Sequence, residues 1–261
     1  MPGAMSPSGA TPRTLREWLA EAPFALAMSS GFFSFFAHTG VLQALEEEGF
    51  LPRRVSGSSA GALVTGAWAS GLDARNLARE LIALRREHFW DPAPGFGLLR
   101  GRLFADKLLA MLPVRRFSEC RVPAAVSVFD VLSRTTRVID EGELAPALQA
   151  SCSVPFLFQP VWRGGRPLLD GGILDRPGLL GMPEGERVLF HHIVSRSPWR
   201  ARGSEALEVP RRQGMITLKL LSLPRSGPFR LDAGRRALDV ARDAARRALD
   251  LQIREDGVVE S

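Results

Sequence analysis

Thiols and lysines are scarce in this chain: among 261 residues, Cys120 and Cys152 are the only cysteines, and Lys107 and Lys219 the only lysines. Two cysteines far apart in sequence and without metal-ligand spacing exclude a disulfide framework and a zinc site, and they read as buried free thiols. With lysine so rare, the formal charge of +6 and the pI near 10.7 come from arginine. That excess suits anionic surfaces in general, and a genomic composition bias accounts for it equally well. Neither finger-type Cys/His spacing nor a continuous basic run with interleaved aromatics is present, so no nucleic-acid partner is expected.

A secretory signal is missing as well. Residues 1–14 are rich in Pro, Ser, Gly and Thr, lack an apolar block and read as a disordered leader. The remaining span, 15–261, with 45% hydrophobic residues over the whole chain, suits one large domain. Two charge-free stretches, Ala22 to Leu45 and Val55 to Leu72, match a bilayer in length. The first, however, is broken by Pro23, Ser29, Ser30, Gly31 and His38, and the second carries Gly57, Gly61, Gly66 and Gly71. Each reads instead as a buried strand, a tight turn and a helix. The expectation is a cytoplasmic protein with peripheral membrane contact and no spanning helix; the sequence leaves oligomeric state open.

Strand, turn and helix recur along the chain. A short helix at Leu15 to Glu21 stops at Pro23, and Phe24 to Met28 is short enough for a buried parallel strand. Ser34 stands where a cap would begin a helix to Glu48, closed by Gly49. Val55 ends a second strand, and Ala60 to Ser70 is helical. Leu77 to Phe89 has helical spacing, Asp91 to Gly101 reads as a loop, and Phe104 to Leu112 as a helix. Ala124 to Leu132 pairs with Thr135 to Ile139, and a helix runs from Glu143 to Ala150. Val161 to Trp162 and Pro167 to Leu169 form a further strand pair around Gly164 and Gly165. Val188 to Val194 and Met215 to Leu221 are later strands. A basic helix over about 232–251 carries Leu238, Ala241, Ala245 and Leu249 on one face and packs that stripe on the sheet; its Arg235, Arg242 and Arg246 form the alternative, membrane-facing reading. No internal repeat is present. The class is α/β, a sheet covered by helices on both faces.

Chemistry concentrates at Gly57-Ser58-Ser59-Ala60-Gly61, a Gly-x-Ser-x-Gly pattern between strand and helix that thrusts Ser59 outward. Free N–H groups at the start of the following helix point at any oxyanion formed beside it. A serine hydroxyl needs a group to take its proton. Asp170, ending an apolar strand before Gly171 and Gly172, is one candidate. His191 and His192 are the other, in the Ser, Asp, His order of α/β-hydrolases. Only about two strands precede Ser59, and both histidines sit inside an apolar run, so the sequence favours a Ser59–Asp170 dyad. His38 and His88 fall within helical patterns and read as packing residues.

At these residues the chain resembles the patatin-like phospholipase family. The landmarks fall in family order: Ala37-His38-Thr39-Gly40 with Glu46-Glu47-Glu48-Gly49; the serine motif with Ala62 and Leu63; Ala150-Ser151-Cys152-Ser153-Val154-Pro155 with Phe158 and Pro160; and Leu169-Asp170-Gly171-Gly172 with Asp175 and Pro177. The resemblance implies a patatin-like three-layer α/β/α sandwich around a mainly parallel sheet. It also implies a lipid or other acyl ester as substrate, and hydrolysis through an acyl-enzyme with Ser59 as nucleophile and Asp170 as general base, without metal or cofactor. Phospholipase A or lysophospholipase action is the family expectation; a catalytically impaired lipid-binding protein and a soluble esterase or acyltransferase are the alternatives. The family's glycine-rich oxyanion loop corresponds here to Ser30-Gly31-Phe32-Phe33-Ser34-Phe35, with one glycine left and Ser34 in place of the basic residue. The backbone N–H groups of Ser30, Gly31, Phe32 and Ala60 are the expected oxyanion donors. Phe32 and Phe33 are the candidate acyl-pocket residues, and at least two of Phe32, Phe33, Phe35 and Phe36 are expected to fill the core.

Overall fold

The computed structural model describes residues 13–194 and 208–261. Most of the expected leader thus lies outside the described residues, but its last residue is structured. Thr14 caps the first helix, α1 (Leu15–Glu21), by accepting the Glu17 N–H, while Glu17 returns a bond to the Thr14 N–H.

A nine-stranded sheet forms the centre, built from β1 (Ala25–Met28), β2 (Arg54–Ser58), β4 (Ala124–Asp130), β5 (Thr135–Ile139), β7 (Val161–Arg163), β8 (Arg166–Asp170), β9 (Val188–His192), β10 (Met215–Lys219) and β11 (Val258–Glu260). The order is β11-β10-β9-β1-β2-β4-β8-β7, with β5 also paired to β4. From β11 to β4 every pairing is parallel, whereas β5 and β8 pair antiparallel with β4, and β7 antiparallel with β8. The sheet is therefore mainly parallel and the class α/β, as expected. A separate parallel pair joins β3 (Gly97–Leu99) to β6 (Phe156–Phe158).

The central strands are buried almost throughout because both of their faces are covered. Leu26 and Met28 of β1 face the larger core, with α2 (Phe35–Glu47), α3 (Ala60–Ala69), α6 (Leu144–Ser151) and α7 (Leu231–Leu249). Ala25 and Ala27 face the other way, against Val188, Phe190 and Met215, and are closed over by Met182 and Leu179 from the segment after β8. α4 (Ala74–Ile82) packs on α2 and α3, and α5 (Arg102–Met111) on α6.

Several boundaries differ from the sequence reading. β2 does not end at Val55 but runs on to Ser58, because the serines and glycine that look like a turn are buried and pair with β4. The span read as a loop, Asp91 to Gly101, contains β3, and neither β6 nor β11 carries an alternating pattern long enough to read. The apolar stripe of α7 packs on α2 rather than on the sheet. Gly40 allows that contact: a Cβ there would sit 2.2 Å from the Leu238 carbonyl oxygen. Cys120 and Cys152 are half-buried rather than enclosed. No helix among the described residues is long and apolar enough to cross a membrane.

Candidate active site

One strand aligns the two ends of the site. Along one edge of β4, β2 pairs in parallel up to Ser58 opposite Ser127, and β8 then pairs antiparallel from Asp170 opposite Val128. The other edge is occupied by β5, which pairs with Val126 to Asp130. β2 and β8 therefore converge head to head on neighbouring residues of one strand, and their ends must meet. Ser59, just past β2, donates its hydroxyl to Asp170 Oδ2 at 2.6 Å, across 111 residues of sequence.

The turn at Ser59 is strained. Its φ of 52° and ψ of −120° are unfavourable for a side chain, and a non-glycine residue persists there only because its surroundings fix it. The Ser59 N–H donates to Ser151 Oγ at 2.9 Å, and Ser151 Oγ donates to the Ser127 carbonyl at 2.7 Å. Gly57, Gly61, Gly171 and Gly172 take ordinary φ values; what they provide is room. A Cβ on Gly61 would lie 2.1 Å from the Met28 carbonyl oxygen, and one on Gly171 would lie 2.0 Å from that of Ser127. Asp170 is held from its other oxygen, Oδ1, which accepts the Gly172 N–H at 2.7 Å. Ser58 is fully buried, so Ser59 alone of the pair meets the pocket.

Ser30 does not serve as an expected oxyanion donor: its N–H is committed to the Arg176 carbonyl at 2.7 Å. Gly31 and Ala60 line the pocket beside Ser59, and neither N–H has an acceptor among the described residues. For Ala60 the reason is its place in the first turn of α3, where N–H groups have no partner within the helix. Phe32 follows Gly31 in the same turn and also lines the pocket. The left-handed position that a glycine-rich loop would supply falls on Phe33, with φ 55°.

A narrow apolar pocket of about 90 Å³ opens from Ser59. Phe32, Phe33 and Phe35 line it, whereas Phe36 is wholly buried against Gly234 of α7. The rest of the wall comes from elements that carry no recognisable motif: Leu81 and Leu84 at the end of α4, Phe104 and Leu108 of α5, and Leu157 and Phe158 of β6. Lys107 and Glu80 form a 2.5 Å ion pair bridging α5 and α4 at the pocket wall. Cys152 is also in the wall and donates to the Ser59 carbonyl at 3.2 Å. Burial, reinforced by the Asp170 carboxylate, pushes its thiol well above the ordinary pKa, which disfavours the thiolate.

The histidines point elsewhere. His191 Nδ1 lies 2.8 Å from His38 Nδ1, and His38 Nε2 lies 2.8 Å from the Ser29 carbonyl. A carbonyl can only accept, so His38 carries its proton on Nε2 and His191 must donate from Nδ1. Burial lowers both pKa values, that of His38 to about 3, leaving two neutral rings in the core. Neither His191 nor His192 lines the pocket at Ser59. His88 does, but in a 3-10 turn (Arg86–His88) rather than on an α-helix.

Comparison with known proteins places this arrangement. The family model described as patatin-like phospholipase matches residues 26–181, which span both Ser59 and Asp170. An uncharacterised NTE family protein of Mycobacterium tuberculosis is 34% identical over 154 residues, covering 58% of this chain and 43% of that protein. A triacylglycerol lipase of Schizosaccharomyces pombe is 43% identical over 67 residues, 26% of this chain and 13% of the lipase. The chain thus spans less than half the length of these curated relatives. Among solved structures, VipD from Legionella pneumophila superposes with a TM-score of 0.60 at 15% identity, over 87% of this chain and 67% of that one, which is a likeness of fold.

Proposed function

The chain belongs to the patatin-like phospholipase family, and from that premise we propose that it hydrolyses lipid acyl esters through a Ser59–Asp170 dyad. One observation carries the reading: a serine in a strained turn donates a hydrogen bond to a buried carboxylate at 2.6 Å, at the end of an apolar pocket. The pocket takes the acyl chain and leaves the ester carbonyl at Ser59. Ser59 Oγ attacks the carbonyl carbon while its proton passes to Asp170, and the N–H groups of Gly31 and Ala60 hold the oxyanion. Collapse breaks the bond to the alcohol, which leaves with the proton from Asp170. Water then attacks the acyl-enzyme, giving its proton to Asp170; the fatty acid departs and Ser59 recovers its proton.

Two features support a dyad without histidine. The Gly172 N–H fixes Asp170 directly, the task an intervening imidazole would otherwise share; His38 and His191 are engaged with each other, and neither His191 nor His192 lines the pocket. The test is labelling with a fluorophosphonate probe, beside turnover of short-chain and long-chain p-nitrophenyl esters. Ser59→Ala should lose the label, and both Ser59→Ala and Asp170→Asn should lose turnover by roughly a thousandfold or more. Folded wild-type protein with neither label nor turnover would favour a lipid-binding role instead. Turnover abolished in a folded His191→Gln variant would restore the triad.

A further inference from the structure

Large apolar side chains stand in solvent on the elements that wall the pocket. Phe96 is 91% exposed and Phe156 88%, the two most exposed large hydrophobics among the described residues, with Leu98 at 50%. Gly97 of β3, which stands between Phe96 and Leu98, pairs with Phe156 of β6 and so brings all three onto one short ribbon. Within that ribbon, adjacent residues divide their labour: Leu157 and Phe158 turn into the pocket, and Phe156 turns out. Phe156 is held out by a φ of 65°, a conformation that a bulky side chain avoids unless its neighbours impose it. The neighbouring helix α5 adds Leu109, 43% exposed, on the side away from the pocket.

We propose that the β3–β6 ribbon, through Phe96, Leu98 and Phe156, is the surface by which this protein docks on a lipid interface and admits an acyl chain. Exposed apolar patches mark interaction sites. Here the ribbon that carries the patch also lends Leu157 and Phe158 to an apolar pocket whose occupant, on the hydrolase reading, comes out of a lipid phase. Its charge agrees: Arg100 follows the ribbon directly and is exposed, Arg102 lies 4.0 Å from Asp106, and the nearby carboxylate of Asp91 is spent on the N–H groups of Gly101, Arg102 and Leu103. Guanidinium groups beside inserted aromatics suit an anionic headgroup layer. The basic helix α7 is a poorer candidate, since its apolar stripe is buried on α2 and Arg246 lies within ion-pairing distance of Glu47 and Glu48.

The inference rests on the hydrolase reading for its rationale, and its test is kept independent of turnover. Full-length Ser59→Ala protein is sedimented with phosphatidylcholine vesicles, with and without phosphatidylserine. The same is done for that protein carrying Phe96→Glu with Phe156→Glu, or Arg242→Gln with Arg246→Gln. The Phe variant should lose at least about tenfold in vesicle affinity, because two inserted rings become charges, with its melting temperature unchanged. The α7 variant should bind like its parent, and phosphatidylserine should strengthen binding. Equal binding by the Phe variant, loss only in the α7 variant, or no vesicle binding by the parent would overturn the proposal. So would a dimer that the Phe substitutions dissociate in the absence of vesicle binding, since the patch would then be a protein interface. Wild-type turnover of a monomeric ester, measured separately, decides the hydrolase reading on its own.

Discussion

His38 on α2 and His191 on β9 join ring to ring, Nδ1 to Nδ1 at 2.8 Å, at an angle of 84° between their planes. The contact ties α2 to the strand beside β1, and through His38 Nε2 it fixes the Ser29 carbonyl, just before the turn at Phe32 and Phe33. Both rings are neutral when folded, and both would charge in the unfolded chain below its ordinary histidine pKa of about 6.5.

Stability should therefore fall with acidity. With folded pKa values depressed, the unfolded state binds more protons between about pH 6.5 and the folded value, about 3 for His38, so the stabilisation is complete above that window and lost on descending through it. The expected slope is on the order of 1.4 kcal/mol per pH unit for each histidine. Urea denaturation at pH 7, 6 and 5 measures it, and His38→Gln should flatten the curve. A curve equally steep in that variant would assign the acid sensitivity to other groups.

The turn at Ser59 stores strain that a glycine would release. Ser59→Gly and Ser59→Ala both remove the hydroxyl, so their comparison isolates backbone conformation. The glycine variant should be the more stable by about 1 kcal/mol, the relief of an unfavourable φ, ψ less the entropy of a freer unfolded chain. Equal melting temperatures would mean that the turn relaxes once the hydroxyl is gone.

Gly40 and Gly49 separate steric from conformational need. An alanine Cβ at Gly40 meets the backbone of α7 at 2.2 Å, while at Gly49 it meets nothing within 4 Å but takes φ 77°. Gly49→Ala should cost about 1 kcal/mol, and Gly40→Ala up to about 3 kcal/mol, because two backbones must part. Urea titrations of both variants give the order, and a reversal would place the α2–α7 contact elsewhere.

Phe33 should set chain-length preference. Its ring lies 5.0 Å from Phe32, 5.3 Å from Phe35 and 5.8 Å from Phe89, within the pocket wall. Phe33→Ala enlarges the pocket and should shift the ratio of long-chain to short-chain ester turnover by roughly tenfold. A larger effect on melting temperature than on that ratio would make Phe33 a core residue.

Local pattern carried the α/β class, the parallel strands at 25–28 and 188–192, and the pairing of residues 124–130 with 135–139, because each of these depends on short-range periodicity and turn chemistry. The serine motif and the Asp-Gly-Gly segment stood out too, since a sharp turn and a close backbone approach demand particular residue types. Distance was beyond local pattern. That Ser59 and Asp170, 111 positions apart, meet follows from β2 and β8 sharing one edge of β4, through strand pairings that local periodicity does not specify. The same reason hid the pocket wall: Leu81, Phe104 and Phe158 look like ordinary apolar residues until three separate elements face one another across an opening. Ser30 was misread because its N–H meets Arg176, a partner 146 residues away. Sequence chose the chemical groups and the turns that could present them; sheet order decided which groups stand within reach of each other, because hydrogen bonding acts over a few ångströms and only the assembled strands bring distant residues that close.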